Sequence, residues 1–193
     1  MMSSIRVAVS LLVGLCIAGC THSMTVQAYP FGSPMHHVSN GMAFLDMGLL
    51  DDAFREFDAA LEEDPVFSPA YAGKGIYWSM MGLTDVSQGY ISLAGAYAEN
   101  SREEVFALVA SMQRDLILKQ DGWFEEVTQT FDRIVEMSPE NGAAYYWMGV
   151  SLMEIGDIDD AGEKLKRAAS LTGMYRTKSE QLLMDLNIEN SSR

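Results

Sequence analysis

The segment DIDDAG, residues 157–162, has the acidic spacing that opens a calcium-binding loop. Its fifth position is alanine, however, and Ala168 stands where such a loop needs a bidentate glutamate. Carboxylates at this spacing also suit the first turn of a helix, where they cap exposed N–H groups. The segment is therefore interpreted as a capped helix start.

Three other candidates for chemistry each lack a required partner. His36 and His37 are adjacent, so on a helix they point about 100° apart and cannot chelate one ion without His22. We expect His37 to pack instead. Ser151 lies in a predicted helix without the second glycine of a nucleophile elbow, and GKG at 73–75 lacks the third glycine and the preceding strand of a phosphate-binding loop. The sequence predicts no enzymatic activity, no cofactor and no metal site.

The first twenty residues, MMSSIRVAVSLLVGLCIAGC, carry one charge, Arg6, followed by a short apolar run and small residues. This pattern indicates a secretory signal over residues 1–19, because the apolar run is too short to span a bilayer. Its end, IAGC, resembles the lipobox of bacterial lipoproteins. That resemblance implies cleavage before Cys20 and attachment there of acyl chains such as palmitate, and more than one chain gives stable anchoring. The alternative is a signal with an incidental cysteine.

The chain is acidic, with 27 Asp and Glu against 13 Lys and Arg and a formal net charge of -14. Such a field repels phosphate backbones, so binding of nucleic acid is not expected. Apolar residues make up 48% of the chain, which is enough for the core of one domain. Residues 20–33, the lipidated cysteine and a polar segment with Pro and Gly, are predicted to tether this domain flexibly.

Glycines recur at a fixed interval along the domain. Gly48 and Gly82 lie 34 residues apart, as do Gly122 and Gly156, whereas 40 residues separate Gly82 from Gly122. A regular interval of this length indicates stacked structural units. The longer interval predicts six extra residues in the third unit, and we place them at the start of a helix over about residues 102–119.

The 34-residue unit resembles the tetratricopeptide repeat (TPR), a helix-turn-helix in which small residues mark the helix crossings and bulky residues fill the space beside them. Residues 34–67 match the repeat through Gly41, Phe44, Ala53, Phe57, Ala60 and Pro65. The third unit matches least, with Asp115, Val127 and Ile134 in place of small residues. The resemblance implies an all-α TPR superhelix of four units, at 34–67, 68–101, 108–141 and 142–175, with a C-terminal capping helix and tail at 176–193.

Serine-proline pairs mark the predicted helix starts. They stand at 33–34, 68–69 and 138–139. A serine hydroxyl can cap the first N–H groups of a helix, and proline suits the first turn. We therefore expect a helix to begin directly after each of these serines.

In TPR folds the first helix of each unit lines a concave surface, and the resemblance implies which residues are exposed on it. Carried onto this chain, the apolar residues of this partner-binding groove are Met35, Val38, Met42, Leu45, Ile76, Met80, Met112, Leu116, Tyr146, Val150 and Met153. Methionine-rich apolar surfaces suit helices or extended segments of a partner protein. The alternative is that the chain fills its own groove, with the C-terminal helix or with Tyr29, Pro30 and Phe31 of the tether.

These inferences predict a lipid-anchored scaffold of the bacterial envelope that binds envelope proteins through the concave groove. Similar lipoproteins assist assembly of outer-membrane machines, such as the secretin pores of type IV pili and the barrel-insertion complex, and others are adaptors for cell-wall hydrolases. Thr21, after the lipidated cysteine, favours the outer membrane facing the periplasm by resemblance to enteric sorting rules. A carrier of lipid or another apolar ligand in the groove is the alternative function.

Overall fold

The computed structural model describes residues 32–191, with side chains described to residue 186. The predicted signal, Cys20 and the tether up to residue 31 lie outside these residues. The described part of the chain forms nine α-helices and no strand. The helices are α1 (Pro34–Asp46), α2 (Leu50–Glu63), α3 (Ser68–Met80), α4 (Thr84–Tyr97), α5 (Ser101–Leu118), α6 (Trp123–Met137), α7 (Gly142–Ile155), α8 (Ile158–Ser170) and α9 (Met174–Ser191). None of these helices combines the length and the hydropathy needed to cross a bilayer.

The first eight helices pair into four helical hairpins. Helix α1 packs on α2, α3 on α4, α5 on α6 and α7 on α8. The first helices of consecutive hairpins also contact one another, and each second helix contacts the hairpin that follows. The hairpins therefore stack into one array, in which each unit buries its apolar face against its neighbours.

Each hairpin turns at a glycine in the left-handed region of backbone space. The angle φ is 72° at Gly48, 73° at Gly82, 80° at Gly122 and 84° at Gly156. Residues with a Cβ rarely adopt this conformation, whereas glycine does so without steric cost. The 34-residue interval between glycines thus follows from a backbone requirement of the turn.

Phe57 fills the helix crossing of the first unit. Its side chain is fully buried and faces Gly41 of α1 and Gly73 of α3. A Cβ placed on Gly73 would come within 2.3 Å of Phe57 Cε1, and one on Gly41 within 2.5 Å of the same atom. In the fourth unit a Cβ on Gly149 would lie 2.8 Å from Leu165 Cγ. Small and bulky residues interlock at these crossings, as the repeat pattern predicts.

The third hairpin has no glycine at its crossing. Helix α5 has 18 residues and begins at Ser101, whereas the other first helices have 13 or 14, so four or five of the six extra residues lengthen this helix. Val127 and Ile134 take two of the places of small residues, and both are fully buried in the core of the C-terminal half. Asp115 takes the third place and lines a polar cavity.

The serine-proline pairs predict one helix cap correctly. Ser33 caps α1 by accepting a bond from a backbone N–H of the first turn. The prediction was wrong at Ser68, whose hydroxyl donates instead to the carbonyl of Ala94 at 2.8 Å, which joins α3 to α4. It was also wrong at Ser138, because α7 begins at Gly142 and not at residue 139. Asn141 provides its capping side chain.

Helix α9 covers the open end of the array. Leu182 and Leu186 are buried and form one core cluster with Leu165 of α8. Tyr146 and Val150 of α7 pack against this cluster. Helix α9 thus takes the position expected of a capping helix, because it shields apolar surface that the last hairpin would otherwise expose.

Candidate functional site

The eleven predicted groove residues lie inside the fold or at its half-buried margin. Val38, Leu45, Ile76, Met112 and Leu116 are buried, and none of them is more than 6% exposed. The half-buried members are Met35, Met42, Met80, Tyr146, Val150 and Met153. No member is fully exposed, so a partner at the concave face could reach only part of the surface of six of these residues.

Two packing arrangements cover the predicted groove. On the N-terminal side, α3 packs along both α1 and α5, so that Val38, Leu45 and Ile76 share one core with Ala107 and Ala110. On the C-terminal side, the groove residues of α7 pack against the leucines of α9. The second arrangement is the self-filled groove that the sequence left open as an alternative. A role in partner contact stays a prediction for all eleven residues.

An ion pair joins the last helix to the first. Lys178 Nζ of α9 lies 2.7 Å from Asp46 Oδ2 at the end of α1. The rings of Tyr146 and Tyr175 pack nearby with their centroids 5.1 Å apart. Burial, with a smaller contribution from the Asp46 carboxylate, raises the pKa of Tyr146 to about 12, and burial also raises the pKa of Tyr175. Both phenols therefore stay neutral at ordinary pH and serve as packing groups.

The residues first considered for chemistry have structural roles. Asp157 accepts a bond from the backbone N–H of Asp160 at 3.3 Å and caps α8, which confirms the helix-start interpretation. Ser151 is fully buried and donates to a backbone carbonyl of its own helix at 2.8 Å. His37 is half-buried, as expected of a packing residue, and its Nδ1 also donates a hydrogen bond to Glu56 Oε2 at 2.7 Å. Within residues 32–191 no group of three or more His, Cys, Asp or Glu could hold a metal ion.

Exposed apolar side chains recur at the hairpin turns. Met47, Met81 and Ile155 occupy the same place in three units, and each is about half exposed. Leu49 and Leu83 follow two residues later in the first two units and are 45% and 46% exposed. Because the turns of stacked hairpins lie along one edge, these five residues form a row, which we name the turn ridge. Single exposed apolar residues are common, but their recurrence at equivalent places makes the turn ridge a candidate interaction surface.

The two ridge leucines occupy places that usually carry a capping side chain. Leu49 and Leu83 are the N-caps of α2 and α4, and neither side chain makes a capping bond. Asp157 holds the equivalent place in the fourth unit and does cap its helix, with φ -85° and ψ 80° against φ -93° and ψ 78° at Leu83. An apolar N-cap costs about 1 kcal/mol relative to a capping residue. Both leucines are nearly half exposed, so each keeps apolar surface that a partner could cover.

Acidic residues border the turn ridge. The first turns of the second helices contain Asp51 and Asp52 in α2, Asp85 in α4, and Asp159 and Asp160 in α8. Negative charge at a helix N-terminus is favoured by the helix dipole, so the stability of each helix is enough to explain these acidic residues. They also set negative charge beside exposed apolar side chains. The complementary surface is therefore apolar with basic residues around it.

Sequence reasoning placed the site on the concave face and missed the turn ridge. The interval that relates Gly48 to Gly82 also relates Met47 to Met81 and Leu49 to Leu83. Apolar residues at these two places, where a turn is ordinarily polar and the N-cap carries an oxygen, are the signal that could have identified the ridge.

Comparison with solved structures identifies the fold as that of TPR proteins. TTC0263, a thermophilic TPR protein of Thermus thermophilus, has a TM-score of 0.64 at 16% identity, over 81% of this chain and 82% of that chain. YrrB, a TPR protein with an unusual peptide-binding site, has a TM-score of 0.32 at 20% identity, over 69% and 84% of the two chains. PilF of Pseudomonas aeruginosa has a TM-score of 0.35 at 13% identity, over 81% and 89%. The likeness to TTC0263 carries the assignment and confirms the predicted all-α TPR superhelix.

The sequence comparisons give no relative. No protein-family model matches the chain, and no curated protein matches it. The assignment is therefore one of fold, and function has to be inferred from the surfaces that the fold presents.

Proposed function

We propose that this chain is a lipid-anchored scaffold of the bacterial envelope that binds a protein partner through the turn ridge. The observation that carries the proposal is the pair of exposed leucines at the N-caps of α2 and α4. A fold selected for stability alone would have a capping residue at both places, as it has at Asp157. Departures from a local rule of stability are typical of functional sites.

The partner surface follows from the chemistry of the ridge. Methionine and leucine side chains at successive turns offer adaptable apolar contacts. The aspartates in the neighbouring first turns attract basic residues, and the net charge of -14 adds a general attraction for a basic partner. A protein segment with apolar anchors and flanking Lys or Arg fits this surface, whereas an anionic lipid surface does not.

The carrier alternative has less support. A lipid or other apolar ligand in the groove would need the groove side chains to be accessible, and each of the eleven is buried or half-buried. Protein binding at the turns needs no rearrangement of the core. The scaffold is therefore preferred to the carrier.

The lipid anchor in the proposal is supported by the IAGC sequence that ends at Cys20. An anchor at Cys20 would lie 14 residues before the start of α1, so the turn ridge would meet a partner close to the membrane. Cys20→Ser is expected to abolish incorporation of an alkyne-tagged palmitate and to release the protein from the membrane fraction. Cys16→Ser is the matched control and should leave both unchanged. Equal labelling of Cys20→Ser and the unaltered chain would contradict the anchor.

The turn ridge is tested by substituting its two capping positions. Leu49→Asp with Leu83→Asp is expected to raise the free energy of unfolding by about 1 kcal/mol per site, because each aspartate can cap its helix as Asp157 does. The same double variant should lose capture of the partner, since charge replaces two apolar contacts. Urea unfolding measures the first effect, and quantitative affinity capture from solubilised envelope measures the second.

Leu93→Asp is the matched control for this experiment. Leu93 is an exposed leucine of α4 that lies away from the turn. This variant should retain the captured protein at the level of the unaltered chain. A double variant that gains stability and still captures the partner normally would show that the ridge is not the interface, because misfolding could not then explain the result.

A further inference from the structure

A polar cavity of about 410 Å³ interrupts the turn ridge at the third unit. Its lining combines Gln88 near the start of α4, Ser111 and Asp115 of α5, Asp121 in the turn and Glu126 of α6. Asp121 stands at the place that Met47, Met81 and Ile155 occupy in the other units. At this place the third unit is acidic where the other three units are apolar, and a cavity opens beside it.

Asp115 forms the buried part of the cavity wall. It is 8% exposed and stands at the place where the other three units have Gly41, Gly75 and Gly149. Those glycines admit bulky side chains from the second helix of their unit, with Ile91 facing Gly75 as one example. A carboxylate at this place has no packing role of that kind, and it faces a cavity of a size that admits a long side chain.

The charges around the cavity do not balance. Arg114 lies beside Asp115, with its guanidinium Nη2 3.2 Å from Oδ1 of the carboxylate. The Nε of Arg114 is buried without an acceptor among the described residues, so the incoming segment would also have to present an acceptor there, such as a backbone carbonyl. Asp121 and Glu126 add two further carboxylates at the exposed mouth. Three carboxylates against one guanidinium give the lining a net charge of -2, which attracts a cation.

The environment of Asp115 supports the same conclusion. Burial raises the pKa of its carboxyl to about 6, the Arg114 guanidinium opposes the rise and Glu126 adds to it. Helix α4 contributes the uncharged Gln88 to the lining, and the lining contains no residue of α3 or α7, which also pack on α5. A buried carboxylate that is held ionised at neutral pH against desolvation gains from a cationic partner.

We propose that this cavity receives the basic side chain, arginine or lysine, of the protein partner that lies along the turn ridge. The inference rests on the proposed function, because it supplies one of the basic residues that the acidic margin of the ridge predicts. The apolar ridge would anchor the partner and the cavity would fix its register, since a long basic side chain can enter the cavity beside the third turn. A charged side chain seated on a buried carboxylate would discriminate strongly against partners without it.

The test uses the full lipidated chain in detergent micelles, labelled at the tryptophan indole nitrogens. Trp123 lines the cavity, so its indole NMR signal reports occupancy, and Trp123→Phe assigns that signal. The probes are Nα-acetyl-arginine methylamide and its neutral isostere, Nα-acetyl-citrulline methylamide. The arginine probe is expected to shift the signal saturably and the citrulline probe to leave it unmoved.

Asp115→Asn should weaken binding of the arginine probe about tenfold, since a hydrogen bond to a charged group is lost. The matched control Asp132→Asn, on an exposed residue of α6 outside the cavity, should bind normally. Affinity of the unaltered chain should fall about tenfold between pH 7.5 and pH 5 as Asp115 protonates, and that of Asp115→Asn should not. Equal binding of both probes, or unchanged binding by Asp115→Asn, would overturn the proposal.

The outcomes separate this inference from the proposed function. If the arginine probe fails to bind while the ridge variants lose their partner, the cavity assignment is wrong and the scaffold function stands. If the probe binds at Asp115 while the ridge variants keep their partner, the cavity is a cation site and the ridge is not the interface.

Discussion

Phe57→Ala is expected to lower the free energy of unfolding by about 3 to 5 kcal/mol, the usual cost of removing a fully buried aromatic ring. Phe57 is 0% exposed and touches the first and third helices through Gly41 and Gly73. Loss of the ring leaves a cavity between the first two units at the point where they meet. Chemical unfolding monitored by circular dichroism measures the effect, and the slope with denaturant should stay unchanged.

A second substitution shows whether the ring and the glycine act as one interlocking pair. Gly73→Ala in the unaltered chain should cost about 1 to 3 kcal/mol, because its Cβ would collide with Phe57 Cε1. In the Phe57→Ala background the same change should cost nothing or stabilise, since the space is then vacant and alanine favours a helix over glycine. Gly89→Ala is the matched control: a Cβ there meets nothing within 4 Å, so a gain of about 0.5 to 1 kcal/mol is expected. Additive costs for Phe57→Ala and Gly73→Ala would contradict the interlock.

Asp115→Asn is expected to change the free energy of unfolding by different amounts at different pH. The change should be about 3 kcal/mol more stabilising at neutral pH than at pH 4. The pKa of Asp115 rises from 3.8 to about 6 on folding, and each unit corresponds to about 1.4 kcal/mol. Between these values the native state holds the proton more strongly than the unfolded chain, so stability falls as pH rises from about 4 to about 6 and is level above. Asparagine does not titrate, so the Asp115→Asn variant does not lose stability at this site as the pH rises.

Urea unfolding at pH 4, 5, 6 and 7.5 measures this difference. The gap between Asp115→Asn and the unaltered chain should open through this range and close again on acidification. Asp132→Asn, on the exposed face of α6, is the control and should show no such gap. A gap that is constant with pH would show that the buried carboxyl does not carry the predicted desolvation.

The architecture could be read from the sequence because its markers respond to local backbone and packing demands. Glycine is required at Gly48 and its three equivalents because φ is positive there. It is required at Gly41 and Gly73 because the ring of Phe57 leaves no room for a Cβ. Such requirements repeat with the unit and so appear as an interval of 34 residues. The extra turn of α5 was found by the same arithmetic, because an insertion shifts the interval without removing the markers.

The accessibility of the concave face could not be read in the same way. Whether Val38 or Ile76 is exposed depends on how closely the first helices of neighbouring units approach, and that depends on packing between units far apart in sequence. The position of the C-terminal helix could not be predicted either. Leu182 and Leu186 could cover the end of the array or fill its concave groove. The structure places them against Tyr146 and Val150, which the resemblance had assigned to an open groove.

The helix caps show where a residue type misleads. Ser68 and Ser138 were predicted to be helix caps, and neither caps a helix. The Ser68 hydroxyl joins α3 to α4 instead, and Asn141 takes the place predicted for Ser138. Leu49 and Leu83 are the unusual N-caps, because neither side chain can cap a helix and both are nearly half exposed.

The central claim is that a partner meets the turns of the array and not its concave face. A photo-crosslinking amino acid placed at Met81 of the ridge, and in a separate variant at Met42 of the predicted groove, tests it directly in intact cells. We predict a discrete adduct from position 81 that disappears with Leu49→Asp and Leu83→Asp, and none from position 42. An adduct from position 42 with none from position 81 would contradict the account and return the site to the concave groove.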